Sequence, residues 1–174
     1  MVPILVSACL LGDPVRYDAS AKRCVHPLLM RWVGEGRVVG ICPELAGGLG
    51  VPRAPNEIDG GAGGLAVLAG QARVLDRAGR DCSAPFVRGA EAALALAHER
   101  GIRLALLKQA SPSCGSRLIY DGSFQGRRLA GQGVTAAKLA AAGILVFGED
   151  EIEAAAQALS RLDASNAAGT APRA

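Results

Sequence analysis

Short apolar runs alternate with helically spaced segments along most of the chain, and this alternation constrains the fold more than any other feature. Val2–Cys9 is rich in branched residues and ends at Gly12-Asp13-Pro14. It reads as a strand buried on both faces of a parallel sheet. His26–Gly34 spaces Leu28, Leu29, Trp32 and Val33 for a helix, and Arg37–Cys42 is a second short strand stopped by Pro43. Ala84–Gly101 is the clearest helix, with Ser83 as N-cap, Pro85 in the first turn and Gly101 as the stop. Ile102–Leu107 and Ile144–Phe147 read as further strands, and Val134–Ala142 and Glu149–Leu162 as further helices. Leu65–Ala69 and Ala72–Leu75 pattern as a short hairpin around Gly70-Gln71. The expectation is an α/β fold: a single domain over residues 1–163, with a mostly parallel sheet flanked by helices. Residues 164–174 are small and polar without periodicity, which predicts a disordered tail.

Composition narrows the function classes. At 174 residues, 50% hydrophobic and 20% charged, the chain is long and apolar enough to bury one core. A net charge of +3 and 3% aromatic content supply neither a basic stripe nor a set of stacking platforms, so no stable nucleic-acid complex is expected. The longest apolar stretches fall short of the ~18 residues of a membrane span, and the N-terminus lacks the basic region of a signal peptide. A cytoplasmic location with no membrane partner follows as the expectation. Glycine accounts for 23 residues, an excess that points to tight turns and close backbone approaches. The five cysteines are odd in number and widely spaced. In a reducing compartment such thiols serve metals or catalysis more readily than disulfides.

Cys9 closes the first strand, Cys42 closes the second within Cys42-Pro43-Glu44, and Cys114 lies in the polar loop Ser111-Pro112-Ser113-Cys114-Gly115 after the Ile102 strand. Ligands of open α/β sheets bind beyond the carboxyl ends of the strands, so these soft donors point to one sheet edge. Taken singly, a free cysteine is more often a small buried hydrophobe; for Cys114, between serines and glycine, a core role is much less natural. Cys24, before a helix, and Cys82, in a turn, are placed less favourably. Thiolates without histidine suit zinc or an iron–sulfur cluster. His98 reads as a surface residue, and His26 as a helix-terminus residue. Glu44, two residues beyond Cys42, is the best-placed acid, with a solvated loop carboxylate as the plain alternative. Gly131-Gln132-Gly133-Val134-Thr135-Ala136 matches G-x-G-x-x-A, but the preceding segment is too short and basic for the strand a dinucleotide fingerprint requires.

Leu5-Val6-Ser7-Ala8-Cys9-Leu10-Leu11-Gly12 with Arg16-Tyr17-Asp18, and Cys42-Pro43-Glu44 with Gly47-Gly48-Leu49 and Pro52-Arg53, resemble domain-of-unknown-function family 523. The likeness continues in order through Glu57-Ile58, Leu107-Lys108, Ser111–Gly115, Ile119–Gly122 and Gly131–Thr135. Ala19 stands where that family usually has glycine. Characterised members are the TudS-like thiouracil desulfidases, which use a [4Fe–4S] cluster held by three cysteines. The resemblance implies that Cys9, Cys42 and Cys114 bind the cluster and that Glu44 and Ser111 act in catalysis.

The activity so implied is non-redox hydrolysis of C=S to C=O in thiolated pyrimidines such as 2-thiouracil, free or within a nucleoside. Three thiolates leave one iron of a cubane open as a Lewis acid for sulfur, with Glu44 moving protons and the Ser111 hydroxyl bonding the base. Two other classes stay open at this point: a sulfur carrier whose cluster stores and hands on sulfide, and a cysteine-only zinc or redox protein. The sequence leaves the oligomeric state unspecified.

Overall fold

The computed structural model describes residues 1–169. The central sheet has the order β2-β1-β5-β8, built from β1 (Ile4–Ser7), β2 (Val38–Ile41), β5 (Leu104–Leu107) and β8 (Leu145–Gly148), and every pairing is parallel. The α/β fold with a mostly parallel sheet flanked by helices is therefore as expected. The chain leaves β1 for β2 on one side and returns across it to β5 on the other. The crevice between the carboxyl ends of β1 and β5 is thus a topological switch point, where such sheets bind ligands.

The apolar continuity of β1 has a direct cause, since both of its faces are covered. Ile4 and Val6 pack with Leu104 and Leu106 against Leu29 and Trp32 of α2 (Pro27–Gly34) and against Ile152, Ala155 and Leu159 of α7 (Ile152–Gly169). Leu5 faces the other way, with Ala105 and Leu107, toward Ala93 and Ala97 of α5 (Ser83–Glu99) and Ala136 and Leu139 of α6 (Val134–Ala141). A third cluster lies under two antiparallel ribbons. These are β3 (Asn56–Ile58) with β4 (Val74–Asp76), and β6 (Leu118–Tyr120) with β7 (Arg128–Ala130). The one-turn helices α1 (Ala8–Leu11) and α3 (Pro43–Ala46) follow β1 and β2 directly, and α4 (Gly64–Leu68) lies between the two strands of the first ribbon. Among the described residues no helix is long and apolar enough to cross a membrane.

Three local expectations are corrected. Leu65–Leu75 is not a hairpin: its first half is α4, and β4 pairs instead with the earlier β3, Val74 opposite Ile58 and Asp76 opposite Asn56. Gly64 explains the difference, because a Cβ there would overlap the Gly133 carbonyl, and this contact packs α4 onto α6 rather than onto β4. Ser83 does not cap α5. Cys82 holds that position, while the Ser83 hydroxyl accepts the Val74 N–H at 2.9 Å. The tail expected from Ala164 is helical as far as Gly169, in α7. Ala164, Ser165, Asn166 and Ala167 are exposed, so these residues have no buried face to give a period, and the helix continues past Leu162 because adding a residue to an existing helix avoids the cost of nucleating one. Residues 170–174 lie outside the described part of the chain.

Candidate functional site

A cavity of about 970 Å³ opens at the carboxyl ends of β1, β2 and β5, the upper end of the usual size for ligand sites. Cys9, Cys42, Glu44 and Ser111 all lie in its wall. Cys114 is buried beside them, 6% exposed, close enough that charge on Cys9, Cys42 or Glu44 opposes its ionisation. The structure thus brings together all the residues that the sequence singled out at this edge. Cys24 also reaches the cavity wall, which its position in the sequence did not foretell, whereas Cys82 lies in a separate recess with Asp76 and Arg80. His26 caps α2, its Nδ1 accepting the Leu28 N–H at 3.3 Å, and His98 is exposed.

Each element that presents these residues is fixed by a close backbone contact. Gly12, at φ +109°, ends α1 in the left-handed conformation that favours glycine. The returning loop then donates Lys22 N–H to the Cys9 carbonyl at 2.9 Å. Cys42 precedes α3, whose Glu44 sits in the first turn. That helix is pressed on α5 where only hydrogens fit: a Cβ at Gly47 would overlap the Pro85 carbonyl, and one at Gly89 the Pro43 carbonyl. The Ser111 Oγ accepts the N–H groups of Ser113 at 3.1 Å and Cys114 at 3.0 Å. Carbonyls of Pro112 and Ser113 in turn accept the first N–H groups of α6, from Val134, Thr135 and Ala136. The helix start within G-x-G-x-x-A therefore holds the Cys114 loop, and its donors are already used.

At the thiols, burial opposes ionisation and only nearby cations and donors work against it. Burial pushes Cys9 up to about 11, partly offset by Arg16, with Cys42 raising it further and Lys108 lowering it. Burial also raises Cys42, with the Leu45 N–H opposing it, and raises Cys114, with the Ser7 hydroxyl opposing it. Arg16 Nε is buried without a hydrogen-bond partner, its nearest acid, Asp18, being 3.7 Å away. A buried donor without a partner facing a group of thiols suits a site that gains an anionic occupant. The soft donor set fits an iron–sulfur cluster. Among the described residues no three His, Cys, Asp or Glu side chains close to the spacing of a single metal ion.

Two pairings were not visible in the sequence. Arg53 donates from Nε at 2.8 Å and Nη2 at 2.7 Å to Glu44 Oε2, and also to the carbonyls of Gly50 and Val15. Lys108 is paired with Glu149, which also accepts the Gln109 N–H at 2.7 Å. The motif Pro52-Arg53 was the one signal for the first. For the second there was none, since Glu149 lies 41 residues from Lys108.

A family model for 2-thiouracil desulfurase matches residues 4–151. The protein YbbK of Bacillus subtilis (strain 168), itself uncharacterised, is 43% identical over 149 residues, 86% of this chain and 97% of that protein. A solved structure of the [4Fe-4S]-dependent thiouracil desulfidase TudS superposes with a TM-score of 0.83 at 48% identity, covering 92% of this chain and 99% of that one.

Proposed function

The chain belongs to the 2-thiouracil desulfurase family, and from that premise we propose that it desulfurises thiolated pyrimidines such as 2-thiouracil, with a [4Fe–4S] cluster held by Cys9, Cys42 and Cys114. The observation that carries this reading is the gathering of three soft donors at the ends of neighbouring strands beside one large cavity. Bound there, the cluster supplies an iron without a protein ligand as a Lewis acid for the thiocarbonyl sulfur. Arg16 and Lys108, which both favour the ionised form of Cys9, balance the negative charge of the thiolates.

The overall change adds water to C=S and releases hydrogen sulfide, leaving C=O with no change in oxidation state. Glu44 is the proton carrier. Both Arg53 contacts fall on Oε2, which fixes the carboxylate and leaves Oε1 to take a proton from water and return it to the departing sulfur. Ser111 Oγ already accepts two backbone N–H groups, so its own proton is directed to a ligand, where it can bond an acceptor on the ring. The substrate is a small thiolated base or its nucleoside.

Anaerobic reconstitution of wild type, Cys42→Ser and Glu44→Gln, with iron content and turnover of 2-thiouracil measured on each, tests this reading. Cys42→Ser is expected to lose iron and activity together. Glu44→Gln is expected to keep its iron and lose ~10²–10⁴-fold in rate, the usual contribution of a general acid–base group. Iron-loaded wild type inactive on every thiolated base would leave a sulfur carrier in place of the enzyme. Near-normal turnover by Glu44→Gln would remove that residue from the mechanism.

A further inference from the structure

Three carboxylates line the cavity, and two of them have a cation: Glu44 has Arg53 and Glu149 has Lys108. The third, Glu57 on β3, is 8% exposed and has no ion-pair partner among the described residues. Its Oε2 accepts the Phe124 N–H at 3.1 Å. That bond is held by backbone packing. Gly122, at φ +86°, sits so close to β3 that a Cβ there would lie 2.7 Å from the Ile58 carbonyl and 2.8 Å from the Gly60 nitrogen. The turn carrying Phe124 is therefore pressed against the strand that carries Glu57. Among the described residues only Oε2 is engaged, and Oε1 is not an enclosed unpartnered atom, so the second oxygen is left to the cavity that Glu57 lines. A carboxylate held in place through one oxygen, with the other turned to a ligand-sized cavity, is placed to accept a hydrogen bond from what binds there.

We infer that Glu57 is a specificity-determining residue that accepts the N3–H of the bound pyrimidine and so selects uracil-type over cytosine-type rings. The inference rests on the thiolated-pyrimidine reading above and adds the feature of the ring that is recognised. An ionised carboxylate can only accept. A uracil-type ring presents a donor at N3, whereas a cytosine-type ring presents a lone pair there, which a carboxylate repels. N3–H is also the ring N–H that survives when N1 carries a sugar, so the same contact serves base and nucleoside. A site built around such a bond rejects the analogue that lacks it, because the buried polar group is then left without a partner.

Equilibrium binding of uracil, cytosine, 1-methyluracil and 3-methyluracil to wild type and Glu57→Gln, by titration calorimetry at matched iron content, tests this. In wild type, uracil and 1-methyluracil are expected to bind about tenfold or more tighter than cytosine and 3-methyluracil. In Glu57→Gln the Phe124 N–H keeps the amide oxygen in the place of Oε2, which turns the NH₂ into the cavity and exchanges an acceptor for a donor. The uracil-to-cytosine preference is then expected to reverse, a change of about 100-fold in the affinity ratio. An unchanged ratio in the variant overturns the inference. So does a wild type indifferent to a methyl group at N3, a comparison that needs no variant to fold. None of these ligands carries sulfur. Wild type that recognises N3–H but leaves 2-thiouracil intact would therefore overturn the enzymatic reading and leave Glu57 as assigned.

Discussion

Ionising any of the three thiols at the sheet edge is unfavourable while the metal is absent. Burial is the main cause at each of them, and it takes Cys9 to about 11 even with Arg16 and Lys108 nearby. A raised cysteine value means that the protonated thiol dominates at neutral pH and that the thiolate appears only as pH rises toward that value. Since the thiolate is the nucleophile, alkylation of Cys9 in the metal-free protein should climb about tenfold per pH unit and continue past pH 9. Peptide mass spectrometry of timed iodoacetamide reactions measures this, and a plateau near the ordinary value of 9.0 would contradict it. Cluster loading must then release these protons, and the loaded protein should resist alkylation. At this scale the sequence was informative about which side chains gather: Cys9 and Cys42 end apolar runs, and Cys114 sits in a polar loop after a third, although Ser113 and Ser116 beside it are buried and Cys114 itself packs with the core. It was silent on which charges find partners. That Glu44 pairs with Arg53 while Glu57 forms no ion pair among the described residues depends on the fold of the loop between them, and no spacing rule encodes it.

The elements that carry the site are short, and their positions depend on the contacts between them. The one-turn helix α3 has too few hydrogen bonds to hold itself, so the Gly47–Pro85 and Gly89–Pro43 approaches to α5 decide where Cys42 and Glu44 stand. Gly47→Ala should force the two helices apart and lower stability by about 1–3 kcal/mol, with loss of iron retention at temperatures where the fold persists. Gly34→Ala is the matched control: nothing lies within 4 Å of a Cβ at this position of α2, so it should keep iron retention and hold or raise stability by up to about 1 kcal/mol. Thermal melts and iron analysis of the two variants decide the matter; equal behaviour would show that the α3–α5 contact does not position the site. Long periodic elements such as α5 were legible because one face is buried at regular intervals. The Leu65–Leu75 region was not, because a five-residue helix and a three-residue strand each carry too little pattern, and the partner of β4 lies earlier in the chain.

For the molecule as a whole, the alternation of apolar runs and helices was enough to give the parallel sheet, because burial on both faces leaves β5 no polar position and β1 only its last, Ser7, whose hydroxyl accepts the Lys108 N–H. What the pattern did not contain is how the ends of the chain are joined. Arg37, 7% exposed, donates from Nε at 2.9 Å and Nη2 at 2.7 Å to the Val2 carbonyl, and Nη2 also meets both oxygens of Asp163. Asp163 Oδ1 further accepts the Val2 N–H at 2.6 Å. The N-terminal strand, the start of β2 and α7 are tied at one point. Burial acts to raise the Asp163 carboxyl, but the Val2 N–H and Arg37 outweigh it and hold the group below its ordinary 3.8. A depressed folded-state value means that this carboxylate stabilises the fold at pH above 3.8 and that the contribution disappears as pH falls through the folded value. Asp163→Asn keeps the shape and removes the charge, leaving the Arg37 guanidinium with Glu35 at 3.4 Å as its remaining acid. At pH 7 the variant should lose about 1–3 kcal/mol, read as ~2–4 °C of melting temperature per kcal/mol for a chain of this length. The gap between wild type and variant should narrow as pH falls below 3.8, because protonation brings wild-type Asp163 to the same neutral state. Melting curves between pH 7 and pH 3 measure it, and a gap that stayed constant across that range would show that the charge on Asp163 does not hold the two ends together.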